Sequence, residues 1–284
     1  MSYAIGIVTY QPNKQRLQEN IKSALSNNMV DNLIIVDNNS TNLSDIKEII
    51  NQYEKIILIK NNENMGVAYA LNQILKYADE KGFDWVLTLD QDSVMAPNTL
   101  NEYKNYTKDN EIGIICPCIE DRNMGREYTR PMNTEYINLC ITAGNLVRIE
   151  AWKKCGGYSE ELFIDGIDFD FCLKIRNAGY KILRINTICL LQEVGHGHKI
   201  PLLFHHQISV LHHSPIRLYY IARNYLYIGK KHKQKWHWSI EVLKRILIVL
   251  CFERNRWNKL NYMIKGIIHS QKGIYGKYPY NINN

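Results

Sequence analysis

Two clusters of aspartates stand where chemistry is conceivable. Asp90 and Asp92 close the apolar run "DWVLTLDQDS", one residue apart. Two carboxylates at the end of a buried strand repel each other and resist desolvation, so the turn is either solvated or meets something positive. Their spacing suits two oxygens on a hard divalent cation, Mg2+ or Mn2+, with water or phosphate oxygens completing the shell. A polar turn capping a helix at Ser93 or Asn98 is the plainer alternative. Further on, "FIDGIDFDF" interleaves Asp165, Asp168 and Asp170 with aromatic and aliphatic residues just before a helical run. Some of these complement a helix N-terminus. An acid in a partly dry setting also has the raised pKa that a general base needs.

The elements that must position these groups follow from hydrophobic periodicity. Short apolar runs at Tyr3–Tyr10, Asn32–Thr41, Lys55–Gly66 and Asp84–Ser93 alternate with amphipathic stretches at 13–27, 43–53 and 66–82. Ser44 is a candidate N-cap with Glu48 near the capping-box position, and Gly82 a candidate stop. Near-continuous apolar strands alternating with helices predict a wound, mostly parallel α/β sheet. Each strand ends in a polar cluster, and in open α/β sheets ligands bind beyond the carboxyl ends of the strands. Strands are also expected at Ile112–Ile119, at Ile137–Val147 and after Gly179. From Pro215 onward the pattern turns to aromatic-rich helices at 215–231 and 238–257.

The 284-residue chain has 45% hydrophobic and 22% charged residues, an ordinary globular balance. No segment has the length and apolarity of a membrane span, and the first residues look like a strand rather than a signal peptide. The expectation is a cytoplasmic protein at the inner face of the plasma membrane. Seven scattered cysteines read as buried free thiols. Net charge is +7, unevenly spread: from Pro215 onward 14 Lys and Arg face only Glu241 and Glu253, leaving 21 bases and 26 acids before it. The basic, Trp-bearing C-terminal part suits an anionic membrane surface, with a core helix or a homodimer contact as the competing reading. Neither dinucleotide-binding nor P-loop glycine patterns are present.

The ordered set "IVTYQP", "IIVDNNST", "NNENMGVAYALN", "LTLDQDS", "ITAGNL" and "FIDGIDFDFCLKIRNAGYKI", over residues 3–190, resembles the inverting family 2 glycosyltransferases. "DQDS" and the FID-containing segment are similar to the rhamnosyltransferase-like subgroup, which builds bacterial surface polysaccharide such as capsule. The resemblance implies a GT-A fold over 1–214, with a nucleotide-sugar half (about 1–98) and an acceptor half (about 99–214), followed by a helical region at 215–284. It implies that Thr9, Tyr10, Asp37 and Asn39 line the nucleoside, and that Asn64, Gly66 and Asn72 close over it. Asp90 and Asp92 would hold the metal on the donor diphosphate, with Gln91 beside them. Asp168 matches the family's catalytic base, with Asp165 the competitor, since Ile167 stands where the family has Glu. Asn145 and Asp170 fall on the acceptor side. Arg217 and Arg223 are candidates for donor or lipid phosphate. A metal-contacting histidine is expected near His196 or His198, or its place is taken by Gln192; a dedicated zinc site is the competing reading of the histidines.

The implied reaction moves a sugar, L-rhamnose from dTDP-rhamnose or a hexose from a UDP-sugar, to an oligosaccharide or lipid-linked acceptor. The rivals are a nucleotidyltransferase and a non-catalytic polyanion binder. Against them stand a first turn, "TYQPNKQR", that lacks glycine and the absence of any nucleic-acid motif, so nucleic acid is not expected as a partner.

Overall fold

A computed structural model describes residues 1–27, 29–123, 125–126, 133–193, 198–201 and 207–278. The first half alternates β1 (Tyr3–Thr9), α1 (Lys14–Leu25), β2 (Asn32–Asp37), α2 (Leu43–Ile50), β3 (Ile56–Lys60), α3 (Val67–Glu80) and β4 (Trp85–Asp90). These strands lie parallel in the order β3-β2-β1-β4. The period-2 geometry of a strand sorts their apolar residues into two cores. Ile5, Ile7, Leu33, Ile35, Trp85 and Leu87 meet Leu17, Ile21, Ile46 and Ile49 of α1 and α2 on one face. Ala4, Ile34, Val36 and Val86 meet Leu71, Ile74 and Leu75 of α3 on the other.

The second half comprises α4 (Thr99–Lys104), β5 (Ile112–Asp121), β6 (Gly125–Arg126), β7 (Thr134–Ile137), β8 (Asn145–Arg148), α5 (Ile149–Cys155), α6 (Ile167–Asn177) and β9 (Lys181–Gln192). β8 extends the sheet antiparallel to β4 and β5, β9 runs parallel to β5, and β7 closes that edge. β10 (His198–Pro201) and β11 (Gln207–Val210) form a separate hairpin. Three helices follow: α7 (Pro215–Lys231), α8 (Lys235–Phe252) and α9 (Arg256–Lys272).

Several local expectations shift. The stretch 137–147 is not one strand: it breaks at Gly144 (φ 80°), where a Cβ would lie 2.7 Å from Pro117. Ser44 lies inside the first turn of α2, whose N-cap is Asn42, and Gly166 rather than an aspartate caps α6. The run 238–257 is two helices, turned by Asn255 in the left-handed region and closed by a buried Lys259–Glu253 pair at 2.5 Å. No cysteine is in a disulfide, but only Cys116, Cys118 and Cys172 are buried; Cys140, Cys155 and Cys189 are half-buried and Cys251 is exposed.

α7 is the spine of the C-terminal part. Its Leu218, Ile221 and Ala222 pack with Val242, Val249 and Met263 of α8 and α9. Two residues expected to touch ligands are instead fixed inside this joint. Asp170 on α6 is buried and accepts from Ser159 Oγ (2.5 Å), His232 Nε2 (2.8 Å) and Lys231 Nζ (3.0 Å). Burial pushes its carboxyl up, but the His232 and Ser159 hydrogen bonds and the Lys231 charge outweigh that and hold it below the usual range. Arg223 is fully buried, donating to the carbonyls of Leu162 (3.0 Å) and Gly276 (2.7 Å) and lying against the rings of Tyr219 and Tyr220. It has no free face for a phosphate.

Arg223→Ala therefore orphans several buried carbonyls and should lower unfolding stability by about 3 kcal/mol or more. Denaturant midpoints check this. Parental stability combined with weakened nucleotide binding would return Arg223 to a phosphate role.

Candidate active site

The carboxyl ends of β1, β2 and β4 meet the segment Phe163–Asp168 and the start of α7 around a cleft of about 570 Å³. Its lining includes Tyr10, Asn64, Gly66, Asp90, Gln91, Asp92, Asp165, Asp168, Arg217, His213 and Arg245. The two acidic motifs, more than seventy residues apart in sequence, thus face one space.

Hydrogen bonds from neighbouring strand ends fix the Asp90 turn. Asn20 Nδ2 donates to the Asp90 carbonyl (2.5 Å), and Gln91 Oε1 accepts from Tyr10 N (2.9 Å). The Asp90 carboxylate accepts from Gln192 Nε2 at 2.6 Å, at the end of β9. Burial, then the charges of Asp168 and Asp92, push the Asp90 carboxyl up to about 7, against the Gln192 bond and Arg217. Burial and Glu193 raise Asp92 as well.

The second acidic segment is a strained loop. Phe163 (φ 65°) and Asp165 (φ 58°) both lie in the left-handed region, which costs a residue with a Cβ of the order of 1 kcal/mol or more. The loop is locked from two sides. Val67 N donates to the Phe163 carbonyl (2.7 Å), an approach open only because residue 66 is glycine: a Cβ there would stand 2.6 Å from that same oxygen. From the other side Asn224 Nδ2 reaches the carbonyls of Leu162, Ile164 and Asp165 at 2.7–2.9 Å. The loop delivers Asp168 to the first turn of α6, where Thr142 Oγ1 donates a short hydrogen bond to its carboxylate. Burial and then Asp165 push the Asp168 carboxyl up to about 6, while Thr142 and Arg217 oppose. Asp165 is committed elsewhere: Arg217 grips both its oxygens, Nη2 at 2.6 Å and Nε at 3.3 Å. Burial works against the Arg217 charge, but Asp165, Asp90 and Asp168 outweigh it and raise the guanidinium above its ordinary value.

The remaining sequence-derived residues divide. Asn64 Oδ1 accepts from Gly66 N (3.0 Å) at the cleft rim, and Tyr10 is exposed there. Asn39 is exposed in a left-handed turn outside the cleft lining. Thr9 and Asp37 are buried beneath: the Asp37 carboxylate takes hydrogen bonds from Thr9 Oγ1 (2.9 Å), Ser40 Oγ (2.6 Å) and Ser40 N (2.9 Å), so it shapes the β2 loop and presents no free face. Asn72 points the other way, to Trp152, Tyr158 and Glu160 beyond α3. Asn145 is buried in β8, with Nδ2 on Cys140 Sγ (3.3 Å). His196 lies outside the described residues.

Three groups have no spacing signal of their own: His213 and Arg245, which line the cleft, and Thr142, which holds Asp168. His213 is the only histidine among the described residues that lines the cleft. Burial, then Arg217, Arg245 and Lys259, push it down to about 3, so it is a neutral imidazole with the lone pair a metal needs. Among the described residues no three His, Cys, Asp or Glu side chains are already gathered as a metal cage. Asp90 and Asp92 nevertheless fit a hard cation that takes its other oxygens from a ligand: burial first, and neighbouring acids after it, raise their carboxyls, and a positive charge between them would offset both.

Comparison with known proteins identifies the family and the fold. The profile of Glycosyl transferase family 2 matches residues 4–164. The dTDP-rhamnosyl transferase RfbF of Shigella flexneri is 28% identical, covering 96% of this chain and 95% of its own. An uncharacterized glycosyltransferase of Methanocaldococcus jannaschii is 24% identical over 67% of this chain and 70% of its own. Among solved structures, TarS 1–349 of S. aureus superposes with a TM-score of 0.60 at 15% identity, covering 96% of this chain and 83% of that one. GalNAc-T7, solved with UDP, GalNAc and Mn2+, gives 0.63 at 13%, covering 96% and 56%. The fold is of the GT-A type.

The raised carboxyls carry a pH signature. Both Asp90 and Asp168 bind protons more tightly in the folded cleft than in the unfolded chain, where Asp titrates near about 4. Their stabilising contribution is complete below that value and is lost as pH rises through about 6 to 7. Asp168→Asn keeps an oxygen for Thr142 and should raise Tm at about pH 8 by about 5 °C, with little gain near about pH 4. Equal shifts at both pH values would contradict the charge crowding.

Proposed function

Given that this chain belongs to glycosyl transferase family 2, we propose that it transfers L-rhamnose, with inversion, from dTDP-rhamnose to a saccharide or lipid-linked acceptor in surface polysaccharide synthesis. The single observation that carries the mechanism is the cleft pairing of Asp168, raised to about 6 and aimed by Thr142, with the Asp90–Asp92 turn across from it. Rhamnose as the sugar is supported by the end-to-end similarity to the Shigella flexneri dTDP-rhamnosyl transferase.

In this reading Asp168 is the general base. A carboxylate in the 6–7 range takes a proton from a sugar hydroxyl better than an ordinary aspartate yet is still ionised near neutrality. Thr142 holds one carboxylate oxygen, leaving the other for the acceptor hydroxyl. Asp165 is not the base, because both its oxygens are held by Arg217. It keeps that guanidinium extended toward the cleft, where its charge favours the departing nucleoside diphosphate. Asp90 and Asp92 would hold Mg2+ or Mn2+, with His213 as an additional ligand. When bound, the cation supplies neutralising charge to the diphosphate. Gln192 fixes the orientation of Asp90. Tyr10 and Asn64 at the rim stand where the nucleoside would lie. A single displacement by the acceptor oxygen, opposite the leaving diphosphate, inverts the sugar carbon.

Asp168→Asn should leave donor binding within about twofold and lower transfer by about a thousandfold. Calorimetry with the nucleotide sugar, paired with turnover, separates the two. If Asp165→Asn is the dead variant and Asp168→Asn transfers normally, the base assignment fails. Donor turnover should also vanish in chelator and return with Mn2+; undiminished turnover in chelator would exclude the cation.

A further inference from the structure

The C-terminal helices carry an apolar face that the fold leaves uncovered. On α8, Trp236, Ile240, Leu243, Leu247 and Leu250 recur at i, i+4, i+7, i+11 and i+14, one stripe of a helix. Trp236 is 80% exposed, Leu243 54% and Leu247 52%, and Ile240 and Leu250 are half-buried. The opposite side of α8 is the one that packs: Trp238, Val242 and Val249 are buried against α6 and α7. α9 repeats the pattern with exposed Trp257, Ile264 and Ile268. No helix among the described residues is long and apolar enough to cross a membrane.

We infer that the α8 stripe is a membrane-docking face that lies in the plane of an anionic lipid surface. The choice of a lipid surface over a second copy of the chain rests on charge. Of the nine Lys and Arg in residues 235–278, Arg245 lines the cleft and Lys259 is buried against Glu253 (2.5 Å); the other seven are exposed and face only Glu241, which Lys244 engages at 2.7 Å. A self-complementary contact would bring this positive charge against itself, whereas an anionic leaflet neutralises it. An exposed tryptophan at the start of α8 and another at the start of α9 suit the headgroup level, where the ring is wet at one edge.

The placement has a consequence for the catalytic cleft. Arg245 lies half a helical turn from the stripe and lines the cleft with Arg217 and His213. A docked α8 therefore sets the cleft about one helix diameter, roughly 10 Å, above the lipid headgroups. That is the reach of an acceptor whose anchor stays in the membrane, a consequence that rests on the glycosyl-transfer reading. The docking face itself does not.

The test uses the full chain with vesicles of phosphatidylcholine, with and without phosphatidylglycerol. Co-sedimentation should be strong only with the anionic lipid, with a blue shift of tryptophan emission. Leu243→Ser combined with Leu247→Ser should weaken binding at least about tenfold, with the fold intact by circular dichroism and turnover of a water-soluble acceptor unchanged. A second variant, Trp236→Ser, should lose part of the blue shift, with Trp257 supplying the rest; an unchanged shift would contradict docking through α8. The inference is overturned if the parent chain ignores anionic vesicles, or if the double serine variant still pellets like the parent. It is likewise overturned if light scattering finds a dimer that the serine substitutions split while vesicle binding persists; the stripe is then a subunit contact. Vesicle binding without sugar transfer would refute the glycosyl-transfer reading and leave this one standing.

Discussion

The catalytic arrangement depends on how one short loop is held. Residues 162–166 adopt a path that two non-glycine residues resist, and its carbonyls point toward α7 rather than into a regular element. α7 answers with Arg223 and Asn224, while Arg217, two turns earlier on the same face, grips Asp165. Buried carbonyls without donors would cost about 1–3 kcal/mol each, so the loop and α7 stabilise each other as a unit. The strain then has a use: it sets Asp168 at the head of α6 with its carboxylate directed at the cleft. The C-terminal helices are, in this sense, structural parts of the catalytic centre, although they lie beyond the residues matched by the family profile.

Charge is the second constraint. Asp90, Asp92, Asp165 and Asp168 share a cleft in which Arg217 and Arg245 are the positive side chains. That surplus adds to burial in raising the carboxyls of Asp90 and Asp168. A nucleoside diphosphate brings more negative charge into the same space, which is favourable only alongside a cation. Burial, with Asp165 after it, holds the Asp168 carboxyl above that of a solvated aspartate, the property a general base needs.

The parallel half of the sheet was readable because β1, β2 and β4 are buried on both faces and all four strands have unambiguous apolar runs. The Asp90–Asp92 turn followed, since a polar cluster at the carboxyl end of a central strand has few other places to go. Long-range partners were not readable. Nothing local marks Thr142 as the partner of Asp168, or Gln192 as the anchor of Asp90, because each contact spans a fold-level crossing. Arg223 and Asp170 carried the opposite error: their residue types suit phosphate or substrate, yet Asp170 is buried between α6 and the end of α7, and Arg223 under α7 against the carbonyls of Leu162 and Gly276. Asn72 sits in the expected helix but on its far side. The α8–α9 break falls in the polar stretch Glu253–Arg256, which helix-forming charged residues disguise, and the Asn255 turn and the Lys259–Glu253 pair reveal it.

The most direct measurement is product analysis by nuclear magnetic resonance after incubation with dTDP-rhamnose, Mn2+ and a saccharide acceptor. Free dTDP should appear in step with a new glycosidic bond whose anomeric configuration is opposite to that of the donor. Release of pyrophosphate instead of dTDP, or retention of the donor's configuration, would contradict a single displacement assisted by Asp168.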